Sequence, residues 1–66
     1  MSDLIEISLS MSEFEAIRLI DFESISQKEA GIKMRISQST LSRILVAGRK
    51  KIADAIITGK AIKIEE

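Results

Sequence analysis

From Ser37 to Thr58 apolar residues return at alternating spacings of three and four: Leu41, Ile44, Leu45, Gly48, Ile52, Ala55 and Ile56. That rhythm marks one helix laid along a core. No proline interrupts it, and Gly59 stands where a helix can stop. The spacing predicts a helix over 37–58, a third of a chain of 66 residues. Every other element must be short and must pack against this one. A chain this small buries only about 60% of its unfolded surface. With no cysteine available for a disulfide, stability must come from tight apolar packing or from a second subunit.

Serines punctuate the rest. Ser10 precedes Glu13 by three residues, and Ser26 precedes Glu29 by three. Each pair predicts a capping box, in which the serine accepts from a backbone N–H and the glutamate reaches back. The first box opens a helix over 11–23, whose apolar stripe is Phe14, Ile17, Leu19 and Ile20. The second opens a helix over 27–34, with Ser24 and Ile25 as a short connection. Ser37 starts the third helix. At the chain ends, residues 4–9 and 61–65 alternate and read as short strands. Two such strands are weak alone. They are expected to pair with each other or with those of a second copy. All the apolar residues of these stripes are expected in the core. The fold class expected is all-α: a single domain over 1–66, with three helices in a helix-turn-helix of the winged-helix-like DNA-binding class, a long third helix and short terminal β-strands.

Charge is unevenly spread. Residues 1–30 hold seven acids against Arg18 and Lys28, and residues 31–63 hold eight bases against Asp54. The total is nevertheless zero. An acidic half and a basic half suggest a dipolar molecule with one face suited to polyanions. The absence of histidine and cysteine removes imidazole and thiolate metal sites and the usual nucleophile pairs. The sequence shows no phosphate loop and no paired carboxylates. A chain this short hardly encloses a substrate pocket. Neither an enzyme, nor a cofactor, nor a small-molecule substrate is expected. Apolar runs are too short to cross a membrane. The opening MSDLIEIS carries acids rather than a basic flank, so it does not read as a signal peptide. A cytoplasmic location is expected.

The run SQKEAGIKMRISQSTLSRIL, residues 26–45, carries the functional signal. It holds two serine-started helices joined by Arg35, Ile36 and Ser37. Ala30 and Gly31 are small where the two must approach closely. Met34, Ile36, Leu41 and Ile44 form a wedge that sets the angle between them. The later helix would then project its first turns. There Gln38, Ser39, Thr40, Ser42 and Arg43 offer short or planar hydrogen-bonding heads, with arginine suited to guanine and glutamine to adenine. Packing three hydroxyls into exposed helical turns costs helix propensity and calls for a reason. Base reading in the major groove of double-stranded DNA is that reason. The helix start at Ser37, with Ser26, Gln27, Lys28 and Lys33 on the preceding helix, is suited to phosphates. Arg49 and Lys50, further along, are expected as phosphate anchors, while Lys51 is expected to face solvent.

The same residues resemble the helix-turn-helix of region four of bacterial sigma factors. The segments SMSEFEAIRLIDFE (10–23), SQKEAGIKMRISQSTLSRIL (26–45) and AGRKKIADAIITGKAIKIE (47–65) together resemble a small uncharacterised family of bacterial and archaeal predicted DNA-binding proteins with that fold. The resemblance implies a transcription-regulator role with Gln38, Ser39, Thr40, Ser42 and Arg43 reading bases. A homodimer is expected, since one module contacts few bases. Two positions depart from the pattern. Arg35 stands where glycine is usual, at a cost of about 1 kcal/mol if the backbone is left-handed there. Gly31 stands where alanine is usual. The alternative function is a protein-docking module. In that reading the acidic face of the first helix (Glu13, Glu15, Asp21, Glu23) meets a basic partner such as RNA polymerase.

Overall fold

The structure is a computed structural model and describes residues 4–65. Met1 to Asp3 and Glu66, which enter the charge pattern and the reading of the amino end, lie outside the described residues. The order of elements is β1 (Glu6–Leu9), α1 (Met11–Ile17), a π-helical turn (Arg18–Phe22), α2 (Gln27–Met34), α3 (Gln38–Thr58) and β2 (Ala61–Ile64). The molecule is mostly helical. It extends 45 Å along its longest axis and about half that across.

α3 is the spine, and α1, α2 and β1 all pack on it. Leu41 and Leu45 are fully enclosed, with Ala16, Leu19 and Ala30 around them. Ile17, Ile20, Ile25, Met34, Ile36 and Ile44 close the core from the sides. Small residues set the closest approaches. A Cβ on Gly48 would meet the Ile17 Cδ1 at 2.9 Å, so glycine lets α1 lie against α3. A Cβ on Gly31 would lie 3.0 Å from the Ile36 carbonyl oxygen, which explains glycine in place of alanine there.

The caps refine the reading of the sequence. Ser10 and Glu13 form the full reciprocal box. Ser26 accepts from the Glu29 N–H, and no return bond from the Glu29 side chain forms. The first helix is α only to Ile17. It then widens into a π turn in which the Glu23 N–H donates to the Arg18 carbonyl, five residues back. Periodicity does not reveal that extra residue in the turn. The turn ends at Ser24, in a left-handed conformation (φ 60°). Arg35 is also left-handed (φ 59°) and closes α2 through bonds from its N–H to the Gly31 and Ile32 carbonyls.

The strands pair with each other, in parallel, with Ile7 beside Ile62 and Leu9 beside Ile64. Leu9 is buried, whereas Ile62 and Ile64 stay about two-fifths exposed because β1, not β2, lies mainly over α3. Ile5 is exposed, as is Ile56, the last residue of the apolar stripe in α3. These four, and the exposed Leu4, correct the expectation that the apolar residues of these segments form core. At Ile56 the helix has run past the body that covers its earlier turns. No described helix is long and apolar enough to cross a membrane.

Candidate nucleic-acid interface

The first turns of α3 carry Gln38, Ser39, Thr40, Ser42 and Arg43, and all five are exposed. Ser39 and Arg43 point away from Leu41 and Leu45, which anchor the helix from within, Thr40 and Ser42 flank them, and Gln38 shares the side of the two leucines one turn ahead of the core. Ser37 organises the start. Its Oγ accepts from the Thr40 N–H at 3.1 Å, donates to the Thr40 hydroxyl at 2.9 Å and lies 3.3 Å from the Ser39 hydroxyl. Three hydroxyls are thus gathered at one helix amino terminus, where the backbone dipole favours negative charge.

α2 flanks this end. Ser26 caps it, and Gln27, Lys28 and Lys33 are exposed along it. Arg35 is exposed at the turn. Lys28, Lys33, Arg35, Arg43 and Lys50 form no ion pair with an acid among the described residues. Most cations without an acid partner among the described residues therefore lie around the α2–α3 turn and along the outer side of α3.

The basic run further along α3 is divided. Arg49 grips Asp21 with two hydrogen bonds, from Nε at 3.1 Å and from a terminal nitrogen at 2.7 Å. The guanidinium holds the Asp21 carboxyl below its usual range. Lys51 does not face solvent as expected. Its ammonium donates to the Ser8 carbonyl and to Glu13, both at 2.9 Å. Glu13 is 8% exposed. Burial works against its ionisation, but hydrogen bonds from Lys51 and from the Ser10 backbone outweigh this and lower its pKa. Of the three bases in the run, only Lys50 is left unpaired among the described residues.

The acids of the first helix are engaged in turn. Glu15 and Glu23 both pair with Arg18, while Asp21 and Glu13 take Arg49 and Lys51. Folding lays the acidic helix on the basic one, so much of the charge separation seen along the chain is cancelled in space. Around the first turns of α3, by contrast, Lys28, Lys33, Arg35 and Arg43 form no ion pair with a described acid.

The family described as "Protein of unknown function DUF134" matches residues 2–66. The chain belongs to this family. A UPF0251 protein of Caldanaerobacter subterraneus subsp. tengcongensis is 46% identical over 65 residues, covering 98% of this chain and 55% of its own length. One from Halothermothrix orenii is 48% identical, covering 96% of this chain and 47% of its own. One from Caldicellulosiruptor saccharolyticus is 52% identical, covering 91% and 43%. The chain thus spans about half the length of these family relatives. No solved structure matches it.

A face that the sequence reading missed lies on α3 beyond Arg43. Val46, Ala53 and Ile57 are exposed on the side away from the core, and a groove of about 550 Å³ runs between the last two and Ile7. The signal was available in the sequence. These residues fall off the stripe from Leu41 to Ala55, yet they repeat among themselves at spacings of seven and four.

Proposed function

We propose that the chain binds double-stranded DNA in a sequence-specific way as a helix-turn-helix module of the sigma region-four type, in the role of a transcription regulator. α2 and α3 are the two helices of the motif, and the first turns of α3 enter the major groove. One observation carries this reading: Gln38, Ser39, Thr40, Ser42 and Arg43 are all exposed at a helix start that the enclosed Leu41 and Leu45 hold rigidly. Side chains that read base edges must be displayed on a helix that does not move. No acid occurs between residues 30 and 53, so α3 offers phosphate no repulsion before Asp54; on α2 the exposed Glu29 is the one acid beside Lys28. Lys28, Lys33 and the capped start of α2 would hold the flanking backbone, with Lys50 as a further anchor. Arg49 is the weaker anchor, since a phosphate would have to share it with Asp21.

The test is selection of bound duplexes from a random pool, followed by titration of the selected sequence. The expected result is an enriched motif whose affinity falls steeply as salt rises. Gln38→Ala with Arg43→Ala should weaken binding by roughly 10- to 100-fold per lost base contact and relax the motif there. No enrichment at low ionic strength would overturn the reading. Loss of binding with an unchanged motif would reassign the two residues from bases to phosphates.

A further inference from the structure

The carboxyl-terminal half of α3 presents a side that none of the described residues covers. Ala47, Lys50, Ala53, Asp54 and Ile57 border the groove, with Ile7 of β1 as its opposite wall. Ile57 is 81% exposed. We propose that this face seats a second copy of the chain, with the two α3 helices packed antiparallel about a two-fold axis at Ile52.

The pattern of charge picks this occupant. In a two-fold pair each residue faces its mirror in the sequence numbering. About position 52, Lys50 faces Asp54 of the other copy and Asp54 faces its Lys50. About the same position, Ala47 faces Ile57. A single register therefore matches a cation with an anion twice and sets a large apolar residue into a small one twice. Ala53, close to the axis, allows the backbones to approach. Asp54 already accepts from Lys60 at 2.9 Å and from Thr58. A carboxylate has room for a further donor. Lys50, one turn before Asp54 on the same helix, feels that carboxylate but forms no ion pair with a described acid.

The arrangement also bears on DNA, a step that rests on the function proposed above. With a rise of 1.5 Å per residue, the centres of the two Gln38–Arg43 segments would lie roughly 34 Å apart along antiparallel helices, the spacing of successive major grooves on one face of B-DNA. At about 100° per residue the groove lies only about 55° around α3 from the centre of the exposed Gln38, Ser39, Ser42 and Arg43. The two reading surfaces then tilt towards the seam between the copies while sharing one side of the pair.

Sedimentation without DNA tests the interface independently of any DNA reading. The wild-type chain should dimerise in the micromolar range. Ile57→Glu should sediment as a folded monomer, since the residue is 81% exposed and outside the buried core. Lys50→Glu alone places like charges opposite each other, and so does Asp54→Lys alone. Each should be monomeric by itself, and their mixture should form a heterodimer, because the opposed pairs are then attractive. A monomeric wild-type chain overturns the proposal. So does a dimer indifferent to Ile57→Glu, or a mixture that stays monomeric. Dimerisation as stated, without DNA binding, would leave this interface standing and remove only the function proposed above.

Discussion

The two halves of α3 use the same kind of helix for opposite purposes. Up to Leu45, the side away from the core holds hydroxyls, an amide and a guanidinium, and none of these side chains reaches another element. Beyond it, Arg49 and Lys51 reach across to Asp21, Glu13 and the Ser8 carbonyl, bracing α3 against the first helix and β1. Composition alone makes Arg43 and Arg49 look alike. What separates them is the neighbour: α1 and its π turn run beside the second half and supply acids, whereas α2 beside the first half supplies none that pairs. The amino-terminal half is a display and the carboxyl-terminal half a brace.

The largest effect expected lies beneath the display. Leu41 is fully buried under the exposed cluster. Leu41→Ala should cost about 3 kcal/mol, the lost transfer energy plus a cavity. In a chain this small that is a large share of the total stability. Arg43→Ala, two residues away on the surface, should change stability by less than about 0.5 kcal/mol. Thermal unfolding of both variants checks the contrast. A comparable loss for Arg43→Ala would mean that the display is part of the scaffold.

The next effect tests the brace. Lys51→Met keeps most of the apolar stem and removes the donor to Glu13 and to the Ser8 carbonyl. Leaving a nearly buried carboxylate without its charged partner should cost about 2 kcal/mol near neutral pH. The pH dependence carries the signature. In the wild-type chain the Glu13 pKa is held below its ordinary value near 4.5. Its contribution is therefore full above that value and is lost as pH falls through the lowered one. Asp21 and Asp54 are lowered too, by hydrogen bonds from Arg49 and Lys60 respectively, and add to loss of stability in acid. In Lys51→Met the chief lowering influence on Glu13 is gone, and burial favours its protonated form. The gap between variant and wild type, measured by denaturant unfolding, should narrow below about pH 4. A gap that is constant with pH would mean that Lys51 acts only through its backbone contact.

These contrasts also show why part of the molecule is legible from residues alone. Helix starts are written locally, since a serine followed three residues later by a backbone N–H needs no distant partner. That is why 27–34 and the start near Ser37 match the structure closely. The exposure of Ser39, Thr40, Ser42 and Arg43 follows as well, because the buried Leu41 and Leu45 fix which side faces out; that of Gln38, on the side of the leucines, follows from its place a turn ahead of the core. Pairings across the fold are not local. That Lys51 meets Glu13 depends on how closely Gly48 lets α1 approach, and the π turn at Arg18–Phe22 sets where Asp21 points. Parallel pairing of strands at opposite ends of the chain depends on the whole path between them. Charge segregated along the chain became cancellation in space for the same reason.

The smallest effect concerns the hinge between display and flank. Arg35 sits at φ 59°, where an L side chain crowds its own backbone by about 1–2 kcal/mol. Arg35→Gly removes that strain but gives the unfolded chain more freedom, which returns up to about 1 kcal/mol. The net gain should be about 0.5 kcal/mol, a rise of a few degrees in the melting temperature of a domain this size. Arg35 also pairs with no acid among the described residues, so the same change should weaken binding to any duplex without altering which sequence is preferred. A more stable variant with unchanged affinity would move the phosphate-contacting surface away from this turn, towards Lys28 and Lys33. A less stable one would mean that the arginine stem packs on its surroundings by more than the strain it bears.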